Sequence, residues 1–363
     1  MLAKGLKRIS LIALLFTISH VHATKFEPDN DSILVFVGQD NDTVGGHADY
    51  RNGYIDHFGK PAGLTHYVYF GEGGTLNFEL DKHSYTFATG RIDGLNHNDN
   101  WGAGPMCLKC YLDSPELKDM MVHIAISMQT DAEKKISTGK LDHLLDEFST
   151  FMAAYPERQF FLRIGYEFDA PWNNYDPQAF QQAFRRIVDH LRSRNIDNFA
   201  TVMQSSTMHI PAKKWKQFWP GDDYVDWIGY ALFRPLSAES SANPVAHRLA
   251  KSKKLPVFVA EWAAHDYDTS NPNPDRVWRF FEWSHNFFEL NQGLIKAVSY
   301  INTDWPTQPM WNVELWKDHP FGPWHNSQLQ ANPNLMKRWT ELMETARYIH
   351  DPKQARKLTL RSE

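Results

Sequence analysis

Eight short apolar runs, separated by helix-like or loop-like stretches, are spaced along nearly the whole chain, and few architectures can absorb them. Residues 32–38, 64–70, 121–128, 159–168, 198–204, 224–230, 255–262 and 295–301 have strand-like composition. Between them lie segments with a helical period. Leu141, Leu144, Leu145, Phe148, Phe151 and Met152 form one apolar stripe, and Asp176-Pro177 opens a second helix in which Phe180, Ala183, Phe184, Ile187, Val188 and Leu191 share a face. Strands alternating with helices build a parallel sheet, because a crossover helix is what returns the chain to start a parallel neighbour. Eight such units predict a closed (β/α)8 TIM barrel. The exception is residues 71–118, rich in Gly, Asn, Asp and aromatics. They read as a long loop excursion after strand two, with a hairpin around Tyr85 to Arg91.

The ends of the chain bound its environment. Lys4, Lys7 and Arg8 precede the apolar run Ile9 to Ile18, and Val21-His22-Ala23 offers small residues where a signal peptidase cuts, so residues 1–23 are predicted to be a signal peptide. Residues 24–350 are then the catalytic barrel and 351–363 a loose, charged C-terminal tail. No stretch approaches the ~20 apolar residues of a membrane span, which predicts an exported protein, secreted or periplasmic, with no stable membrane insertion. Losing three cations with the leader moves the formal net charge from −5 to −8, and such a balance excludes nucleic acid as a partner. In an oxidising compartment Cys107 and Cys110, the two cysteines, are expected to form a small loop-stapling disulfide. The 17 histidines include no His-x-x-x-His pair or comparable ligand spacing, so no metal and no cofactor is expected. The expected state is a monomer.

Two of the eight runs end in a glutamate beside an aromatic. Arg163-Ile164-Gly165-Tyr166-Glu167 closes strand four and Val259-Ala260-Glu261-Trp262 closes strand seven. Barrel chemistry sits at the C-terminal ends of strands, and a charged group in so apolar a setting is costly unless it is paired or functional. Strict alternation puts Arg163, Gly165 and Glu167 on one face of strand four and Leu162, Ile164 and Tyr166 on the other. Arg163 can therefore tune or orient one of the carboxylates, although the sequence does not say which. Two carboxylates at matching strand ends are what glycoside cleavage needs, one to protonate the leaving oxygen and one to meet charge at the anomeric carbon. Aromatic content of 14% supplies rings to stack on sugar faces. The expected partner is a polysaccharide or oligosaccharide. Candidate substrate contacts are Arg163, Tyr166, Trp172, Asn173, Tyr230, Trp262, Asn302 and Trp305, with Gln39 and Asp40 at the end of strand one as weaker ones.

The segments Phe161 to Phe168, Trp172-Asn173-Asn174-Tyr175, Tyr224 to Gly229, Pro256 to Glu261, Tyr300-Ile301-Asn302 and Gln330 to Pro333 resemble glycoside hydrolase family 26 and its relatives among the clan A barrels. The resemblance implies a retaining hydrolase with Glu167 as acid/base and Glu261 as nucleophile, endo-acting on a polysaccharide such as mannan, xylan or β-glucan. Two departures stand out. Tyr166 occupies the place where family 26 mannanases have His. The strand-six position that supplies a Tyr to the nucleophile holds Phe233, which Tyr230 replaces only if that strand bulges. Rival readings are a non-catalytic carbohydrate-binding barrel and a polysaccharide lyase.

Overall fold

The computed structural model describes residues 24–28, 30–78, 83–237, 242–319 and 321–360. The predicted signal peptide therefore lies outside the described residues.

Eight parallel strands close into a barrel: β1 (Ile33–Val37), β2 (Gly63–Tyr69), β3 (Met121–Ser127), β4 (Phe160–Ile164), β5 (Phe199–Ser205), β6 (Trp227–Leu232), β7 (Val257–Trp262) and β8 (Ile295–Tyr300). Each pairs with its sequence neighbour, and β8 returns to β1 through the register Leu34 to Ala297. Helices α1 (Asp142–Ala153), α2 (Pro177–Ser193), α3 (Val245–Lys253), α4 (Pro274–Leu290) and α5 (Pro333–Met343) lie outside it. Helix α2 starts where the sequence predicts, with the Asp176 carboxylate accepting the Ala179 amide at 2.8 Å.

The barrel interior changes character from floor to mouth. Leu34, Phe36, Phe161, Ala200, Trp227 and Phe258 fill the lower layers. Above them a Thr65 hydroxyl lies 3.0 Å from His123 Nδ1 and 2.7 Å from Ser299 Oγ. Burial, then the Arg163 charge, push the His123 pKa well below its ordinary value, so it is a neutral packing group.

Two expectations are corrected here. Residues 351–360 of the expected tail are structured: Tyr348-Ile349 just before them pairs with β1, and helix α6 (Pro352–Thr359), capped by Asp351, puts a buried Ala355 and a partly buried Leu358 against the barrel floor. Its charges lie on the outer side of an amphipathic helix, and the sequence shows the charge more plainly than the buried stripe. The hairpin of the excursion is Thr75–Phe78 with His83–Thr86, earlier than predicted. Tyr85, in the second hairpin strand, and Phe87, just past it, join an aromatic cluster with Tyr69 and Trp101.

Candidate active site

Two backbone irregularities aim the two glutamates. In β4, Phe161 faces the interior while Leu162 and Ile164 face the helices. Alternation would next turn Gly165 inward and Tyr166 outward. Instead Gly165 adopts φ +58°, and a Cβ there would stand 2.5 Å from the Phe180 ring of α2, so this position requires glycine. Tyr166 then turns into the mouth, with its ring 5.3 Å from that of Tyr67. Glu167 follows at φ +48°, just past the end of the strand.

In β7 the second irregularity is a bulge. Val257 and Val259 face the helices and Phe258 and Ala260 the interior. Unbroken alternation would send Glu261 outward and Trp262 into the mouth. Against β6 the pairing runs Tyr230 to Val259 and then Ala231 to Glu261, so one residue is inserted. A bulge re-aims the side chains that follow it, and here it turns Glu261 inward and Trp262 outward.

Three donors converge on Glu261. Arg163 Nη1 lies 2.8 Å from Oε1, the Tyr67 hydroxyl donates to the same oxygen, and Gln204 Nε2 donates to Oε2 at 3.0 Å. Burial raises the Tyr67 pKa well above its ordinary value, so the phenol keeps its proton. Burial opposes the Arg163 charge, but Glu261 and Tyr67 outweigh it and the guanidinium stays ionised. The rings of Tyr67 and Tyr166 face that guanidinium at 5.0 and 5.1 Å, which offsets part of its desolvation.

Glu167 is held differently. Burial, and next the charge of Glu261, raise its pKa well above the ordinary carboxylate value, against the opposing pull of Trp172 and Arg163. Trp172 Nε1 donates to its Oε2 at 2.8 Å. The Glu167 amide donates to Gln204 Oε1 at 3.1 Å, and Asn173 Nδ2 donates to the carbonyls of Tyr166 and Glu167 at 2.8 and 3.0 Å. The site thus joins a buried carboxyl whose pKa is raised to a second carboxyl surrounded by hydrogen-bond donors.

The structure sorts the predicted contacts. Tyr166 and Trp172 stand at the mouth, and Trp172 is 49% exposed, leaving a ring face for a sugar. Arg163 is fully buried behind Glu261 and cannot reach a substrate. Asn173 spends its amide on the Glu167 turn and on Gln129. Tyr230 and Trp262 point into the helix layer, where Tyr230 pairs with His247 and Trp262 with Ser284; β6 has no bulge at Tyr230 to turn it inward. Asn302 binds Gln330 and the Leu329 amide, which anchors a loop. Trp305 is buried in a rim cluster with Trp311 and Trp324, and Phe233 packs on Trp324 in the same cluster.

Sequence reasoning missed Tyr67 and Gln204, both of which bond the Glu261 carboxylate. Each is signalled weakly, as a polar side chain near the C-terminal end of a buried strand. The tyrosine expected from strand six comes from strand two. Asp40, at the end of β1, is fully buried and bound by Thr43 and Gln308, which ties the loop after β8 to that strand.

Fold and site together are those of a (β/α)8 glycoside hydrolase. The β-1,3-xylanase TXYA of a Vibrio species is 27% identical over 370 residues, covering 96% of this chain and 72% of that protein. The β-1,3-xylanase of an Alcaligenes species is 26% identical over 367 residues, covering 96% and 71%. A modular endo-β-1,4-mannanase from Cellulomonas fimi superposes with a TM-score of 0.59 at 13% identity, over 88% of this chain and 72% of the other. A family 26 β-mannanase from Bacteroides ovatus gives 0.55 at 12% identity, over 88% and 90%. No family model matches the chain. Its likeness is to glycoside hydrolase family 26 and the related clan A barrels.

Proposed function

We propose that this hydrolase cleaves internal bonds of β-1,3-xylan with retention of anomeric configuration, Glu261 acting as nucleophile and Glu167 as acid/base. The observation that carries the roles is the asymmetry of the two carboxyls: Glu261 accepts from Arg163, Tyr67 and Gln204, whereas burial and the Glu261 charge keep Glu167 protonated. The substrate is supported by two relatives, both β-1,3-xylanases, aligned over nearly the whole chain. In the first step a Glu261 oxygen forms a bond to the anomeric carbon as the glycosidic bond breaks, and the Glu167 proton passes to the leaving oxygen. In the second, Glu167 takes a proton from water, the water oxygen bonds to the anomeric carbon, and Glu261 departs. One chain holds every group named, so the reading needs one protomer. Export belongs to the same proposal and is supported by the Cys107–Cys110 bond. Among the described residues no helix is long and apolar enough to cross a membrane.

The test is incubation with β-1,3-xylan, β-1,4-xylan, mannan and β-glucan, following the first-formed anomer by NMR. Xylo-oligosaccharides from the 1,3-linked polymer with β configuration are expected; α product or exclusive cleavage of another polymer would overturn the reading. Glu261→Ala should lose activity by orders of magnitude while folded, with azide restoring turnover to an inverted product. Glu167→Ala should retain the first step on substrates with good leaving groups.

A further inference from the structure

The carboxamide of Gln204 touches both glutamates at once. Its Oε1 accepts from the Glu167 amide at 3.1 Å and from Arg163 Nη1 at 3.1 Å, and its Nε2 donates to Glu261 Oε2 at 3.0 Å. These partners fix which end is which. A flipped amide would face two donors with its own N–H groups and a carboxylate with its carbonyl. The residue is fully buried, so no water relieves a wrong pairing.

A second, independent feature makes room for it. Gly229 of β6 is the direct partner of Gln204 across the sheet, and a Cβ there would stand 3.0 Å from Gln204 Cβ and 2.9 Å from a Val202 methyl. Any larger residue would press on the stem of the glutamine.

We infer that Gln204 is a positioning residue for the reaction, one that sets the place of Glu167 and Glu261 relative to each other. The inference rests on the reading of those two as the catalytic pair. Glu167 has a left-handed backbone, φ +48°, which a non-glycine residue keeps only when its surroundings over-determine it. Gln204 grips that turn by its amide while its other end grips the Glu261 carboxylate, so the two carboxyls share one rigid reference. It also leaves Glu261 Oε1 to Arg163 and Tyr67, which biases the carboxylate's orientation.

The test uses Gln204→Glu and Gln204→Leu, assayed on β-1,3-xylan from acid to alkaline pH beside the wild type. In Gln204→Glu the acceptor oxygen survives but the donor facing Glu261 becomes a second carboxyl oxygen. Ionised, it repels Glu261; protonated, it donates as the amide did. We expect kcat to fall about 10²-fold at neutral pH with KM nearly unchanged, as on losing one preorganised donor, and the deficit relative to wild type to shrink as pH falls. Gln204→Leu should show a deficit independent of pH. Recovery at low pH within one folded protein separates positioning from a packing role. Gly229→Ala, which keeps the amide but crowds it, should lower kcat in a protein that circular dichroism shows still folded, with some loss of melting temperature. A Gln204→Glu enzyme with the wild-type profile, or equal losses in both Gln204 variants at every pH, would overturn the inference alone. Mass spectrometry of the wild type treated with an activated 2-deoxy-2-fluoro-β-xylobioside should place the sugar on Glu261. Label on another residue would overturn the catalytic reading, and the inference with it.

Discussion

Tyr67 and Glu261 lie 194 residues apart, yet the phenol on β2 donates a hydrogen bond to Oε1 of the carboxylate on β7. They meet because a closed barrel gathers inward-facing residues from every strand at one mouth. Arg163 donates to the same oxygen at 2.8 Å, so Glu261 is oriented from β2 and β4 together, and Gln204 on β5 completes the set.

Tyr67→Phe should therefore lower kcat by about 10- to 10²-fold with little change in melting temperature, since only one donor to Glu261 is lost and the ring stays packed. Tyr166→Phe, whose hydroxyl has no bond to either glutamate, should be much milder. Steady-state kinetics of the two variants side by side make the comparison. Equal losses would place the tyrosine function elsewhere.

The Trp172 indole donates to Glu167 Oε2 at 2.8 Å, a bond that favours the ionised carboxyl. Trp172→Phe removes it, so the Glu167 pKa should rise further. The acid form is needed for the first step and is lost as pH rises through that value, so the alkaline limb of kcat/KM should move to higher pH. The variant should also bind substrate more weakly, because the indole is the exposed ring at the mouth. An alkaline limb shifted to lower pH would contradict the assignment of Glu167 as the acid.

Burial raises the Asp40 carboxyl from its ordinary 3.8 to about 7, more than its bonds to Thr43 and Gln308 lower it. Between those two values the folded state binds a proton that the unfolded state has released. Stability linked to Asp40 is thus fully present below pH ~4 and is lost as pH rises to about 7, by an amount on the order of a few kcal/mol. Asp40→Asn should flatten that slope, measured by urea unfolding at a series of pH values. An unchanged slope would mean that Asp40 ionises at its ordinary value despite its burial.

Cys107 and Cys110 are bonded, and the closed loop is short, with a sequence separation of 3. So small a loop restrains the unfolded chain little, and replacing both cysteines with Ser should cost on the order of 2 kcal/mol or less. Intact-mass measurement of the oxidised protein should show no alkylatable thiol before reduction. Helix α1 and the barrel strands should survive the double substitution, as circular dichroism will report.

Much of this molecule was legible in its sequence. The eight apolar runs, the stripe of α2 from Phe180 to Leu191 and the start at Asp176-Pro177 are local patterns, set by side-chain periodicity and capping, and they translate directly into strands, helices and their order. The placement of Glu167 and Glu261 at matching strand ends follows from the same order, because parallel strands in a barrel all finish at one face. What lay beyond the sequence was direction. Alternation by two gives the wrong face for Tyr166, Glu261 and Trp262, because the turn at Gly165 and the bulge in β7 break its phase, and both depend on neighbouring strands and on helix α2. The partners of Glu261 were equally hidden. Tyr67, Arg163 and Gln204 come from three strands, and only closure of the barrel brings their polar atoms to the same carboxylate. The chain's local periodicity determined which elements form and in what sequence. Which side chains meet at the mouth was decided by tertiary packing, since a contact between distant strands leaves no trace in the residues adjacent to either of its ends.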